Sequence, residues 1–272
     1  MTCIINRRSQ FSASHRYWLS ELSETENVRR FGKCTSSPGH GHNYVLNVSI
    51  TGAVDPYGMV LDLGQVKRIV HQQIIEPLNF SYLNEVWPEF SQTLPTTEHI
   101  ARIIWHRLSA SLPLLNIQLY ETPDLWADYK GNGMEAYLTV STHFCAAHRL
   151  ALPSLTDEEN TRLYGKCANP NGHGHNYQLE VTVKGPIDKR TGMIVDLVSL
   201  QKAIAQYATD QLDHTFLNKD VPHFTQAVPT AENITLYVVN QLRQPLTALG
   251  TTLHKVKLIE SPNNSAEIIV TP

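Results

Sequence analysis

The sequence predicts a duplicated α+β fold, two consecutive units that each run strand, strand, helix, helix, strand, strand. Three observations predict it. The first is a repeated motif: Gly32-Lys33-Cys34 leading to Gly39-His40-Gly41-His42-Asn43-Tyr44 returns as Gly165-Lys166-Cys167 leading to Gly172-His173-Gly174-His175-Asn176-Tyr177. With the upstream histidines, positions 15, 34, 40 and 42 recur 133 residues later at 148, 167, 173 and 175. The second is strand-like alternation, in which Leu179, Val181 and Val183 take turns with Gln178, Glu180, Thr182 and Lys184. The third is a pair of segments whose apolar residues fall on one helical face.

In chain order, the first unit is expected to contain a strand over 44–51, a helix after Asp62, a helix after Thr96, and strands near Gln118 and Tyr129. The join falls near Lys130-Gly131-Asn132-Gly133, a hydrophilic stretch with two glycines, so the units are read as 1–132 and 133–272. In the second unit 137–148 and 177–184 read as extended. Asp196 can cap a helix carrying Leu197, Leu200, Ile204, Ala208 and Leu212 on one side. Thr230 can cap another carrying Ile234, Tyr237, Val238 and Leu242, and strands near 254–260 and 267–270 close the unit. Asp62 answers to Asp196 and Glu98 to Glu232, both at an offset of 134, and Glu121 answers to Glu260 at 139.

Composition narrows the class. With 42% hydrophobic and 17% charged residues and a formal net charge of −3, the 272-residue chain is expected to be globular, with no general affinity for nucleic acid or anionic membrane. No apolar run approaches a membrane span and no signal-peptide layout is expected at the amino terminus, so the expected location is cytoplasmic. Cys34 and Cys167 belong to the motif while Cys3 and Cys145 share no frame, so no disulfide scaffold is expected.

The motif suits a metal. In an extended segment, side chains two apart share a face, so His173 and His175 can reach one ion, with Gly174 letting the chain lie close to it. His148 from a neighbouring strand would be the third ligand, and His15, His40 and His42 repeat the set. Three neutral imidazoles leave one tetrahedral position open, the arrangement of a catalytic zinc. Cys167, in a loop leading to those ligands, reads as a small buried hydrophobe, a fourth ligand closing a structural site, or, best, a general base or nucleophile whose proton a nearby dication loosens. Asp213-His214 is either a helix-end pair or an oriented proton carrier, and the first unit has Asn79-Phe80 there instead. Glu121 and Glu260, near strand ends, are either solvated or able to pair with an N-C-N edge such as that of a guanine or pterin ring. Arg149 and Lys166 could meet phosphate or solvent.

Together these residues resemble the 6-pyruvoyl-tetrahydropterin synthase family, as two consecutive family domains spanning essentially the whole chain. The second unit is the closer match, through residues 155–160, 163–175, Gly192-Met193, Leu212-Asp213-His214 and Thr230-Ala231-Glu232-Asn233. The resemblance implies a T-fold in each unit and zinc on His148, His173 and His175. It also implies Cys167 as proton-abstracting base, Asp213 and His214 as its relay, and Glu260 holding the pterin with help near Thr230 and Glu232. The implied reaction is conversion of 7,8-dihydroneopterin triphosphate to 6-pyruvoyl tetrahydropterin with loss of triphosphate, by a carbon–oxygen lyase without a redox cofactor. The five-residue spacer between cysteine and histidine favours this over the related 6-carboxytetrahydropterin synthases of queuosine biosynthesis. A non-catalytic pterin-binding protein is a third reading. The first unit keeps Cys34, Glu121 and its histidines but lacks the Asp-His pair, so zinc and pterin binding are expected there and full activity is not. The family resemblance also implies barrels of three units stacked in pairs. Symmetry then favours a homotrimer, pseudo-hexameric in units, with first units in one barrel and second units in the other.

Overall fold

The computed structural model describes residues 1–271; Pro272, at the end of the expected second unit, lies outside the described residues. Strands β1 (Cys3–His15) and β2 (His40–Gly52) pair antiparallel in a register that sets His15 opposite His40 and Ala13 opposite His42. Alternation then buries Tyr44, Leu46, Val48 and Ile50 on one face of β2, as a period of two requires. The short β3 (Ser81–Tyr82) runs parallel to β1, β4 (Leu114–Thr122) pairs with β2, and β5 (Leu125–Tyr129) pairs with β4. The later strands repeat this plan: β6 (Glu135–His148), β7 (His173–Pro186), β9 (Thr252–Ser261) and β10 (Asn264–Ile269) neighbour one another in that order, and β8 (Thr215–Phe216) runs parallel to β6.

The helices of eight residues or more are α1 (Glu24–Phe31), α2 (Leu63–Val70) and α3 (Thr97–Leu108) in the first repeat and α4 (Asp157–Tyr164), α5 (Leu197–Ile204) and α6 (Ala231–Ala248) in the second. Helix α3 packs on β4 and β5 as α6 packs on β9 and β10. Asp62, Thr96 and Thr230 cap α2, α3 and α6 through their side-chain oxygens. The continuous helix expected after Asp196 is instead broken by a π-helical turn over Ala205–Thr209, and α2 is followed by a matching one over His71–Ile75. The spacing explains it. Val66, Val70, Ile74 and Leu78 are spaced by four and all buried, as are Leu200, Ile204, Ala208 and Leu212. In a regular α-helix each step of four overshoots the turn by about 40°, and the wider π turn brings the stripe back to the core. Helices α1 and α4 were not expected, although Ser23 with Glu26 and Thr156 with Glu159 form complete capping boxes.

The chain divides into two compact units, Met1–Thr139 with Lys184–Val198, and Val140–Val183 with Ser199–Pro272. Fifteen residues of the second sequence repeat, Lys184–Val198, thus belong to the first compact unit. No helix among the described residues is long and apolar enough to cross a membrane.

Candidate functional site

Each repeat gathers its three histidines. The last residue of β1 and the alternate positions His40 and His42 of β2 bring one nitrogen each of His15, His40 and His42 within 4.8 Å of one another, and the same holds for His148, His173 and His175. His15 and His148 are fully buried, at 0% and 1% exposure. Their Nδ1 atoms face the carbonyls of Pro95 at 3.3 Å and Pro229 at 2.7 Å. A carbonyl only accepts, so Nδ1 carries the proton and Nε2 presents its lone pair inward. There it faces Nε2 of His40 at 3.2 Å and Nε2 of His173 at 3.1 Å.

The set fits a metal ion on its own chemistry. His42 Nε2 and His175 Nε2 are buried without a hydrogen-bond partner, each turned toward the same focus as its neighbours. Burial, then the neighbouring imidazoles, lowers His15 to about 3, and burial is likewise the main cause lowering His40, His148 and His173. Neutral imidazoles are the ligand form. Neither Cys34 nor Cys167 is among the side chains gathered in the two clusters among the described residues.

Glycine 174 has a different role from the one expected. A Cβ there would meet the Ala146 carbonyl of the paired strand at 3.0 Å, and one on Gly41 the Ala13 carbonyl at 3.1 Å. Position 174 alternates with His173 and His175 along the strand, and the missing Cβ permits this close strand pairing.

Of the remaining expected residues, the two strand-end glutamates lie against these clusters. Glu121 Oε1 lies 3.5 Å from His42 Nε2, is 6% exposed, and accepts a 2.6 Å hydrogen bond from Thr97. Glu260 Oε1 lies 3.8 Å from His175 Nε2 and 3.9 Å from His148 Nε2. Ala231 stands where the first repeat has Thr97, so that hydroxyl contact is not repeated. Thr230 is engaged as the helix cap and Glu232 is exposed. Its counterpart Glu98 is 3% exposed and pushed up to about 7, chiefly by burial. Burial, then the Glu121 carboxylate, raises the Cys34 thiol to about 11. Arg149 is held by Asp157 at 2.7 Å and by the Ala168 carbonyl, so its guanidinium braces the loop of Cys167.

Asp213 and His214 form a pair, Oδ2 to Nδ1 at 2.8 Å. Asp213 Oδ1 also accepts from the Cys145 backbone N–H at 2.7 Å, and this hydrogen bond, followed by the one from His214, holds its carboxyl below the usual range. His214 sits at φ 56 and projects 81% exposed into a cavity of about 430 Å³ that His175 also lines. Asn79-Phe80 reproduces the turn: Phe80 has φ 58, its N–H reaches Ser12 O at 2.6 Å as that of His214 reaches Cys145 O at 2.6 Å, and Asn79 Oδ1 accepts from Ser12 N–H. Only the acid–base groups differ.

The family model described as 6-pyruvoyl tetrahydropterin synthase matches residues 4–132 and again 137–269. The chain belongs to this family. It is 45% identical over 134 residues to the 6-pyruvoyl tetrahydrobiopterin synthase of Homo sapiens, covering 49% of this chain and 91% of the relative. It is 30% identical over 134 residues to a protein of Archaeoglobus fulgidus provisionally described as a 6-carboxy-5,6,7,8-tetrahydropterin synthase, covering 49% and 96%. The structure of the Caenorhabditis elegans 6-pyruvoyl tetrahydropterin synthase is similar at 36% identity and a TM-score of 0.48, over 51% of this chain and 98% of that one.

Proposed function

We propose that this family member is a zinc-dependent 6-pyruvoyl tetrahydropterin synthase, a lyase acting on 7,8-dihydroneopterin triphosphate, with its full catalytic set in the second repeat. The observation that carries the reading is the pair of inward-facing histidine triplets, each beside a strand-end glutamate. His148, His173 and His175 would hold the metal, as would His15, His40 and His42. Bound there, zinc supplies a Lewis acid that acidifies protons on carbon next to the substrate's side-chain oxygens. Glu260 accepts from the N-C-N edge of the pterin, with Thr230 and Glu232 nearby, and so orients the side chain toward the histidines. Cys167 takes the carbon-bound proton and returns it to another atom. His214, oriented by Asp213, exchanges that proton with the thiol. Triphosphate leaves with the electron pair of its carbon–oxygen bond. One side-chain carbinol becomes a ketone as the ring imine is reduced, and the other becomes a ketone as the carbon that loses triphosphate becomes a methyl group, so electrons balance without an external redox cofactor.

The likeness to the archaeal protein favours a second reading, a 6-carboxytetrahydropterin synthase that releases acetaldehyde. Incubation of the purified chain with 7,8-dihydroneopterin triphosphate separates them. The pyruvoyl product with triphosphate supports the proposal, the carboxy product with acetaldehyde supports the second reading, and tight binding without turnover would make the chain a pterin-binding protein. The same proposal places the chain in the cytoplasm, with T-fold units closed into barrels. Three chains would supply the six units of a paired-barrel assembly.

A further inference from the structure

The two repeats build the same frame after their first histidine and fill it differently. In the first, Arg16 N–H donates to Asn84 Oδ1 at 2.9 Å and Arg16 Nε donates to the Thr35 carbonyl at 2.8 Å. In the second, Arg149 N–H donates to Asn218 Oδ1 at 2.8 Å and Arg149 Nε to the Ala168 carbonyl at 2.8 Å. Leu19 N–H and Leu152 N–H likewise donate to Asn27 Oδ1 and Asn160 Oδ1, each at 2.8 Å. The backbone of residues 16–19 is thus repeated bond for bond at 149–152, so the side chains at 18 and 151 start from matching points.

Position 18 is a half-buried tryptophan, and the Arg16 guanidinium lies 4.3 Å from its ring centroid. Position 151 is alanine, and beside it opens a cavity of about 370 Å³ lined by Arg149, Leu152, Pro170, Phe216 and Phe224. That volume falls within the roughly 300–1,000 Å³ of small-molecule sites. Among the described residues, neither the clustered histidines nor Glu260 lines it. Arg149 spends its hydrogen bonds in the guanidinium plane, on Ala168 O and on Asp157 Oδ1 at 2.7 Å, which leaves the flat faces for stacking, the surface that Trp18 covers on Arg16. The charge at the rim changes as well. Lys219 lines this cavity with its Nζ 4.8 Å from the Phe216 ring centroid, where the first repeat has Glu85. Asp157 is already paired with Arg149, so the Lys219 ammonium is the charge left for a ligand.

We propose that this cavity binds a small aromatic anion, a flat ring with one acidic substituent. The ring stacks on Arg149 in the place of the missing indole, and the acidic group pairs with Lys219. Phe216 and Phe224 supply further apolar contact. The first repeat does not take this ligand, because Trp18 fills the space and Glu85 repels the charge. Pro170 lies between Cys167 and His173, so the bound ring rests on the loop that carries Cys167.

The test reads binding and not turnover, so it is independent of the proposed chemistry. Indole-3-acetate is the probe, with indole as its uncharged counterpart and tryptamine as its cationic one, each titrated against the full chain by ligand-observed NMR. Indole-3-acetate should bind saturably with a Kd of about 1 mM or tighter, and about tenfold more tightly than tryptamine. Two substitutions graft first-repeat residues onto the second. Ala151→Trp should abolish binding by filling the cavity, and Lys219→Glu, at an exposed position, should weaken indole-3-acetate about tenfold while leaving indole nearly unchanged. The proposal is overturned if the wild type fails to bind indole-3-acetate, if folded Ala151→Trp binds it as the wild type does, or if Lys219→Glu keeps the wild-type preference for indole-3-acetate over tryptamine.

Discussion

Lowering the pH of metal-stripped protein should unfold the first unit through His15. Burial, followed by the charges of His40 and His42, holds this imidazole at about 3 against an ordinary 6.5. The unfolded chain takes up the proton near 6.5 and the folded chain refuses it until about 3, so the unfolded state binds more protons throughout that window. Stability from this residue is therefore whole above 6.5 and lost as the pH falls. The slope is up to about 1.4 kcal/mol per pH unit, on the order of 4–5 kcal/mol across the window, comparable to the whole stability of a marginal domain of roughly 5–15 kcal/mol. All four tryptophans, at 18, 87, 105 and 126, lie in the first unit, so their fluorescence during urea unfolding reports it selectively. His15→Gln removes the titrating group. Its stability should depend on pH less steeply than wild type by about 1 kcal/mol per unit between pH 6 and 4. Equal slopes in the two proteins would refute the assignment.

Four substitutions probe the proposed chemistry. Cys167→Ala should lower turnover by orders of magnitude with metal content unchanged, and Cys34→Ala should be close to normal; the reverse pattern would mean that Asp213-His214 serves the first site, and loss of metal in Cys167→Ala would make the thiol a ligand. Asp213→Asn should cut kcat by about 10²- to 10⁴-fold, because an amide cannot accept from both Cys145 N–H and His214, and retention of wild-type kcat would remove the pair from the mechanism. Glu260→Gln should raise KM more than it lowers kcat, since the amide presents a donor where the pterin edge needs an acceptor; an unchanged KM would place the pterin elsewhere.

The histidine clusters were legible because their members are local in pattern: same-face positions on one strand, a third histidine in register on its neighbour, and the whole repeated at a fixed offset. The long strands followed from alternation, and the helix caps from Asp62, Thr96 and Thr230. The capping boxes at Ser23 and Thr156 and the steps of four that call for π turns were equally present in the sequence, and reading them would have found α1, α4 and the helix breaks. The carbonyls of Pro95 and Pro229 carry no side-chain signature, and the histidines that they orient lie 80 and 81 residues away. The hydrogen bond from Thr96 to the Gly192 carbonyl likewise spans 96 residues. Glu98 and Glu232 look alike in sequence, yet Glu98 is buried and accepts from Ile194 N–H while Glu232 is exposed.

Metal-dependent triphosphate release tests the central claim most directly. Protein stripped with a chelator should release no triphosphate from 7,8-dihydroneopterin triphosphate, and added zinc should restore release in proportion to the metal bound, in wild type but not in a chain lacking His15, His40, His148 and His173 together. Full activity in metal-free protein, or in that four-histidine variant, would contradict the account.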